Sequence, residues 1–341
     1  MTGQDIKRAI GKITRWMVPL SISGLAIWLV LRDIEFSQFT SNLARISWQT
    51  YLFATVIYFV SFALRAFCWL ILLRRKVSYK DAFFTMGAGY LLNNIFPFRL
   101  GEIGRAVLLD DPEHLSPLEV FSSVVVERIF DVFLAAVFIL SVLPRILGSG
   151  YDQRLIYFVF ILAVIGLVVL FILAKFRGQI ATWLEARGDR SSFVKNFVKP
   201  KVAHALEGFS VLTDPGAFIL AFGSLALSWG LAFGKNFIIF RNLYPNPPFW
   251  WMIFILSAGA FGAALPSAPA GLGVFEGVVV AAFALLGVGT DVAFTHAIVA
   301  HAMVFIYANL IGLIGLRLRG EALVGFLQRV LKRSPKVQAI E

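Results

Sequence analysis

The chain has 341 residues, of which 59% are hydrophobic and 15% charged, and it carries a formal net charge of +11. Soluble domains average roughly 25% charged residues, so this composition is built for lipid rather than water. A net positive charge would point to nucleic acid in a soluble protein. Here most Lys and Arg lie in short loops beside apolar runs, where membrane topology accounts for them and no nucleic-acid partner is needed.

A basic start (Lys7, Arg8, Lys12, Arg15) precedes an apolar run from Met17 to Leu31. The chain then reads Arg32-Asp33-Ile34-Glu35 with no small-residue cleavage site, so the run is read as a retained first span rather than a signal peptide. The stretch 32–48 mixes apolar and polar residues at helical spacing and predicts an amphipathic helix lying along the headgroups, as does 178–213. Six segments are long enough to cross a hydrocarbon core, which takes roughly 20 helical residues: 13–31, 49–73, 118–143, 154–174, 216–240 and 292–316. Several tryptophans (Trp16, Trp48, Trp183, Trp250, Trp251) fall near segment ends, as interfacial anchors do.

Two further apolar stretches break in the middle. The first runs from Phe83 to Leu109 and is interrupted around Pro97 and Gly101. The second runs from Met252 to Val288 and is interrupted around Pro266, Pro269, Gly271 and Gly273. Neither half of the first break spans a bilayer, so both stretches are read as re-entrant hairpins. Non-helical backbone at membrane depth survives only where protein or a wet cavity surrounds it. With the N-terminus in the cytoplasm and both hairpins returning to the side they enter, Arg74-Arg75-Lys76 falls inside. So do the middle loop (Lys175, Arg177, Arg187, Arg190, Lys195, Lys199, Lys201) and the C-terminal cations. Full crossing by both stretches would put the middle loop outside, against the positive-inside bias.

The fold expected is therefore an all-α polytopic membrane protein with six transmembrane helices and two re-entrant hairpins in an inverted repeat. The repeats cover about 13–147 and 154–317 of a single domain over 1–320, and 321–341 is read as a cytoplasmic tail. Interrupted spans at matching positions in two halves point to a midplane substrate site in transporters.

An ionisable residue at membrane depth costs about 3 kcal/mol and requires a reason. Nine are placed there: Arg65, Arg99, Glu102, Arg105, Glu127, Arg128, Asp131, Lys235 and Glu276. Arg99, Glu102 and Arg105 flank the first break and are expected to line a headgroup pathway. Arg65, Arg128, Asp131, Lys235 and Glu276 are expected to support them. Unpaired N–H groups at the half-helix starts after Gly101 and Gly273 would add positive character that suits a phosphate. The competing reading is structural, because five cations face four anions and Glu127-Arg128-Asp131 is placed to pin Arg65 or Arg105. Gly87, Gly89, Gly259 and Gly262 are expected to permit close helix packing.

No catalytic site, metal or cofactor is expected. His296 and His301 are five residues apart and do not share a helix face squarely, and two histidines do not complete a zinc site. Ser257 with a downstream histidine lacks the strained nucleophile setting of a hydrolase. The single cysteine, Cys68, forms no internal disulfide, and no Walker loop encodes ATP hydrolysis.

Three stretches resemble a known family. They are Asn93-Asn94-Ile-Phe-Pro97-Phe-Arg99-Leu-Gly101-Glu102, then Glu127-Arg128-Ile-Phe-Asp131, then Pro266-Ser-Ala-Pro-Ala-Gly271-Leu-Gly273-Val-Phe-Glu276. Together they are similar to signatures of the lysylphosphatidylglycerol synthase transmembrane (flippase-like) family, over about residues 15–320. In bifunctional members the membrane part is implied to flip aminoacylated phosphatidylglycerol, while a soluble domain makes it. A chain of 341 residues leaves no room for that domain, so synthase activity is not expected. The resemblance implies translocation of an anionic or aminoacylated phospholipid, or a polyprenyl-linked or hopanoid-type lipid, in the plasma membrane. The alternative is a non-transporting subunit that recruits a lipid- or glycan-modifying enzyme. An oligomer is compatible with either.

Overall fold

A computed structural model of the chain describes residues 20–32, 34–96, 100–109, 115–147, parts of 154–182, 210–263 and 267–333. All regular structure among them is helical. In chain order the helices are α1 (Leu20–Leu31), α2 (Phe36–Arg45), α3 (Trp48–Leu72), α4 (Tyr79–Ile95), α5 (Gly101–Leu108) and α6 (Pro117–Leu147). After the stretch 154–182 come α7 (Pro215–Phe240), α8 (Trp250–Gly262), α9 (Val274–Leu285), α10 (Thr290–Leu318) and α11 (Leu323–Arg333).

Four helices, α3, α6, α7 and α10, are long and apolar enough to cross a membrane. Their limits fall within a few residues of the expected segments 49–73, 118–143, 216–240 and 292–316. The first expected span is described only from Leu20 onward, and the described residues of 154–182 are mostly helical. Helix starts follow from local chemistry. Ser47 and Ser78 accept from the amides of Thr50 (3.2 Å) and Asp81 (3.0 Å). Asp214 accepts from Gly216 (2.9 Å) and Ala217 (3.2 Å), with Pro215 opening the first turn of α7.

Each spanning helix has a lipid-type face and a packed face. On α3, Leu52, Phe53, Val56, Phe59 and Val60 form one exposed strip. Ala54, Tyr58, Phe62, Ala66 and Trp69 on the opposite side are buried. Water does not drive helices together in lipid, so close backbone approach has to. Small residues supply it: a Cβ on Gly87 would lie 3.0 Å from the amide of Gly312, and one on Gly312 would lie 2.7 Å from the carbonyl oxygen of Gly87. Gly315 likewise admits the backbone of Phe84 at 3.0 Å. Gly259 packs on Phe275 and Gly262 on Val278, as expected of those positions.

Both expected breaks are present. The first separates α4 from α5, and the second separates α8 from α9 through a turn at Pro269–Gly271. The helix pairings have a regularity. α3 packs along α7, α4 along α10, and α6 along α8. α5 rests on α4 and α6, while α9 rests on α8 and α10. Exchanging α3 with α7, α4 with α8, α5 with α9 and α6 with α10 turns this set of pairings into itself.

The first and last described helices, α1 and α11, each pack at one of the breaks. Ser23 of α1 reaches the second one, its Oγ accepting from the amide of Ala268 at 2.8 Å. Residues counted with the tail instead form α11, whose Phe326 and Val330 bury against Leu92 and Val107 beside the first break. Their i, i+4 spacing gives α11 a single apolar stripe, which is why it packs rather than trails. The predicted amphipathic helix after the first span is α2, anchored by Phe39 against Phe294 of α10. Most of its counterpart in 178–213 lies outside the described residues.

Candidate functional site

The first break delivers α5 into the side of α6, and there the deep charges meet. Glu127 is wholly buried, and so is Arg105 at 1% exposure. Oε2 of Glu127 takes Nη1 of Arg105 at 2.7 Å, and its Oε1 lies 3.0 Å from Nε of Arg65. Arg65 also pairs with Asp131. Arg128 stands 3.3 Å from Glu102 and 3.4 Å from Asp131. Aromatic rings complete the frame. The guanidinium of Arg105 sits 4.9 Å from the Trp69 ring centre and 5.4 Å from that of Tyr90. Trp229 donates its indole N–H to Asp131 at 3.1 Å.

Among the described residues three arginines (65, 105, 128) thus face three carboxylates (102, 127, 131), and the cluster is formally neutral. The spacing rule explains it: Glu127, Arg128 and Asp131 emerge from about one turn of α6 and supply two of the three acids on the spot. The cluster is still not saturated. Arg65 Nε, Arg128 Nε and Glu127 Oε1 are buried without a hydrogen-bond partner among the described residues, so two of the ion-pair contacts are close but poorly aligned.

Those two arginines line a groove. One compartment, of about 260 Å³, is walled by Arg65, Arg128, Asp131 and Trp229 together with α8. A second, of about 370 Å³, continues past Tyr58, Ser61, Ser228 and Phe275 and is mainly apolar. Both share Arg65, Tyr90, Trp229, Ala260 and Ala263, so they adjoin one another between α3, α6, α7 and α8. Side-chain exposure of 16% for Arg65 and 28% for Arg128, against 2% for Arg105, identifies which cations a ligand can reach.

The remaining expected residues separate into three groups. Arg99, Pro97 and Pro266 lie outside the described residues. Lys235, 4% exposed on α7, stands 6.0 Å from the ring of Tyr58, with no carboxylate pairing with it among the described residues. Glu276 belongs to the second break, away from the arginine cluster, and pairs with His301 (Nδ1···Oε1, 2.6 Å).

At each of the two half-helix starts one amide is taken by a side chain. Gly101 N–H is taken by Asn93 Oδ1 at 2.7 Å, and Gly273 N–H by Glu276 Oε2 at 2.7 Å. The chain caps these ends itself, since a buried amide without a partner costs more than a reserved side chain. Glu276 is therefore first a cap for α9.

Sequence reasoning missed the aromatic frame and the pairing of His301 with Glu276. Trp229 carried a usable signal, because it sits in mid-span while interfacial tryptophans sit at segment ends. No spacing rule pairs His301 with a residue 25 positions earlier on another helix. Ser257 Oγ is buried with no hydrogen-bond partner among the described residues. No cluster of three or more metal-ligating side chains occurs among them either.

Comparison with known proteins gives a consistent family assignment. A family model described as the lysylphosphatidylglycerol synthase TM region matches residues 16–312. The chain is similar to a UPF0104 membrane protein of Methanothermobacter thermautotrophicus, with 28% identity over 244 residues, covering 65% of this chain and 69% of that protein. No solved structure matches.

Proposed function

The chain belongs to the lysylphosphatidylglycerol synthase TM region family, and from that premise we propose that it translocates an anionic or aminoacylated phospholipid, or a related lipid, across the plasma membrane. The observation that carries this reading is the pair of buried guanidinium N–H donors of Arg65 and Arg128, close to carboxylates but hydrogen-bonded to none of the described residues, in the wall of a groove. A phosphate oxygen accepts from both while displacing only the loose contacts at 3.0 and 3.3 Å. Asp131 and Glu102 then remain for an ammonium on an aminoacylated head. The acyl chains stay in lipid and pass the apolar compartment of the groove.

The exchange of pairings between α3–α6 and α7–α10 supports an inverted repeat of six spans and two hairpins, with both termini cytoplasmic. Cysteine labelling tests that layout. Native Cys68 is fully buried and gives little background. A cysteine replacing Lys80 is expected to react only from the cytoplasmic side, and one replacing Asn246 only from the opposite side. Labelling of both from one side sinks the inverted arrangement.

Vesicles test transport itself. The purified chain is expected to move fluorescent phosphatidylglycerol, or its aminoacylated form, between leaflets well above the protein-free rate. Arg128→Ala is expected to slow this about 10- to 100-fold, the worth of one charge-assisted hydrogen bond, with partial recovery in Arg128→Lys. An unchanged rate in Arg128→Ala removes the headgroup role. A wild-type chain that moves no lipid favours the second reading, a membrane subunit that recruits a lipid- or glycan-modifying enzyme. A separate cavity of about 350 Å³, lined by Arg74, Arg75 and Asp214 beside the basic loops, is where such a partner would dock.

A further inference from the structure

At the second break, donors and acceptors do not balance unless a proton is added. His301 presents Nδ1 to Oε1 of Glu276 at 2.6 Å and Nε2 to the carbonyl oxygen of Ala270 at 3.1 Å. A backbone carbonyl only accepts, so Nε2 carries a hydrogen. A neutral imidazole has a single N–H, which would leave a lone pair on Nδ1 facing a carboxylate oxygen. A separation of 2.6 Å requires a hydrogen between them. The other oxygen of Glu276 is already occupied by the amide of Gly273 at 2.7 Å. The pair therefore holds one proton beyond a carboxylate and a neutral imidazole, whether drawn as imidazolium with carboxylate or imidazole with carboxylic acid.

We infer that Glu276 and His301 form a proton-binding site that couples lipid movement to a proton gradient, an inference that rests on the transport reading above. Its geometry supplies the coupling. Losing the proton leaves one N–H for two acceptors, so His301 keeps either Ala270 or Glu276 and gives up the other. The segment thereby freed is an unusual one. Ala270, Gly271 and Gly273 have positive φ (61°, 77° and 82°), and Ala270, which carries a Cβ, needs external contacts to hold it there. Phe275 adjoins Glu276, lies 4.8 Å from the His301 ring, and forms part of the groove wall opposite Gly259. A change in the histidine's bonding is thus passed to the groove itself.

Among the described residues no other charge competes at this site. α1 and α8 carry no ionisable side chain. On α4, Tyr90 faces Arg105, Asp81 is taken by Arg319, Tyr79 donates to the carbonyl of Ala63, and Lys80 is exposed. On α7, Lys235 stands 6.0 Å from the ring of Tyr58. On α3, Tyr58 packs on Tyr307, Arg65 is engaged by Asp131, and Tyr51 lies a turn from the helix start. On α10 itself Asp291 accepts from the amide of Glu35 at the helix start, and Arg317 lies in its last turn. Arg45 ends α2.

The full chain in vesicles containing fluorescent phosphatidylglycerol tests this. With one proton moved per lipid, a gradient of one pH unit is expected to tilt the leaflet distribution up to about tenfold. In Glu276→Gln and in His301→Gln that tilt is expected to fall to about one. A second measurement does not need transport. In detergent and weak buffer, an indicator dye should count about one more titratable proton per chain in the wild type than in the Glu276→Gln/His301→Gln double variant. Wild-type lipid movement indifferent to the gradient overturns the coupling while leaving transport intact. No lipid movement at all overturns the transport reading beneath it. Equal proton counts overturn the site whatever the flux.

Discussion

Replacing Glu127 by leucine is expected to destabilise the folded chain by about 3–5 kcal/mol, because it strands charges that cannot reach water. Arg105 is 1% exposed, enclosed by Trp69 and Tyr90, and its only carboxylate among the described residues is Glu127. Arg65 keeps Asp131, so the damage concentrates on Arg105. The expected readout is a large fall in thermal midpoint in detergent, with loss of folded yield. A charge-neutral pair of changes, Arg105→Met with Glu127→Leu, is expected to restore much of the loss. An apolar replacement of a whole buried ion pair is often tolerated, whereas half of one is not. A Glu127→Leu chain as stable as the wild type would mean that water reaches this cluster freely.

The second large effect is expected at Gly101. Its Cα presses on the backbone of Gly89, so that an added Cβ would overlap the Gly89 carbonyl oxygen and come within 2.7 Å of Asn93 Oδ1. The neighbour is backbone rather than a movable side-chain tip, so α5 must shift off α4. Gly101→Ala is then expected to cost about 3 kcal/mol, the upper end of ordinary overpacking. It should also break the Asn93 cap and displace Glu102 and Arg105 together. Gly230 serves as the control, since a Cβ there meets nothing within 4 Å. Gly230→Ala is expected to be neutral or stabilising by up to about 1 kcal/mol, from helix propensity alone. Equal thermal midpoints for the two variants would refute the close contact.

The positions of the four long helices and of both interruptions were legible in the sequence because lipid imposes a length rule and Pro and Gly punctuate it. The charged residues of α5 and α6 were legible too, since depth makes each ionisable residue costly enough to notice. Their electrical state was not. Whether Arg65 is a free cation or half of a pair depends on α3 and α6 lying side by side, which no local pattern on either helix states. The same holds for Glu276, whose capping of Gly273 is local and foreseeable, while its bond to His301 joins two helices. Packing of α11 under the first break was also hidden. A short amphipathic stripe fits a headgroup surface as well as a protein groove.

The equal numbers of arginines and carboxylates around Glu127 set what an applied voltage can do. A host cluster with no net charge contributes no fixed offset, so the electrical work of passage is that of the cargo together with the proton that accompanies it. Moving one elementary charge across 100 mV is worth about 2.3 kcal/mol, or roughly 50-fold in distribution. A zwitterionic head travelling with one proton would be strongly polarised by the field, whereas a singly anionic one travelling with that proton would cross without sensing it. Under this arrangement, the voltage response of lipid movement reads out the valence of the lipid that the groove accepts.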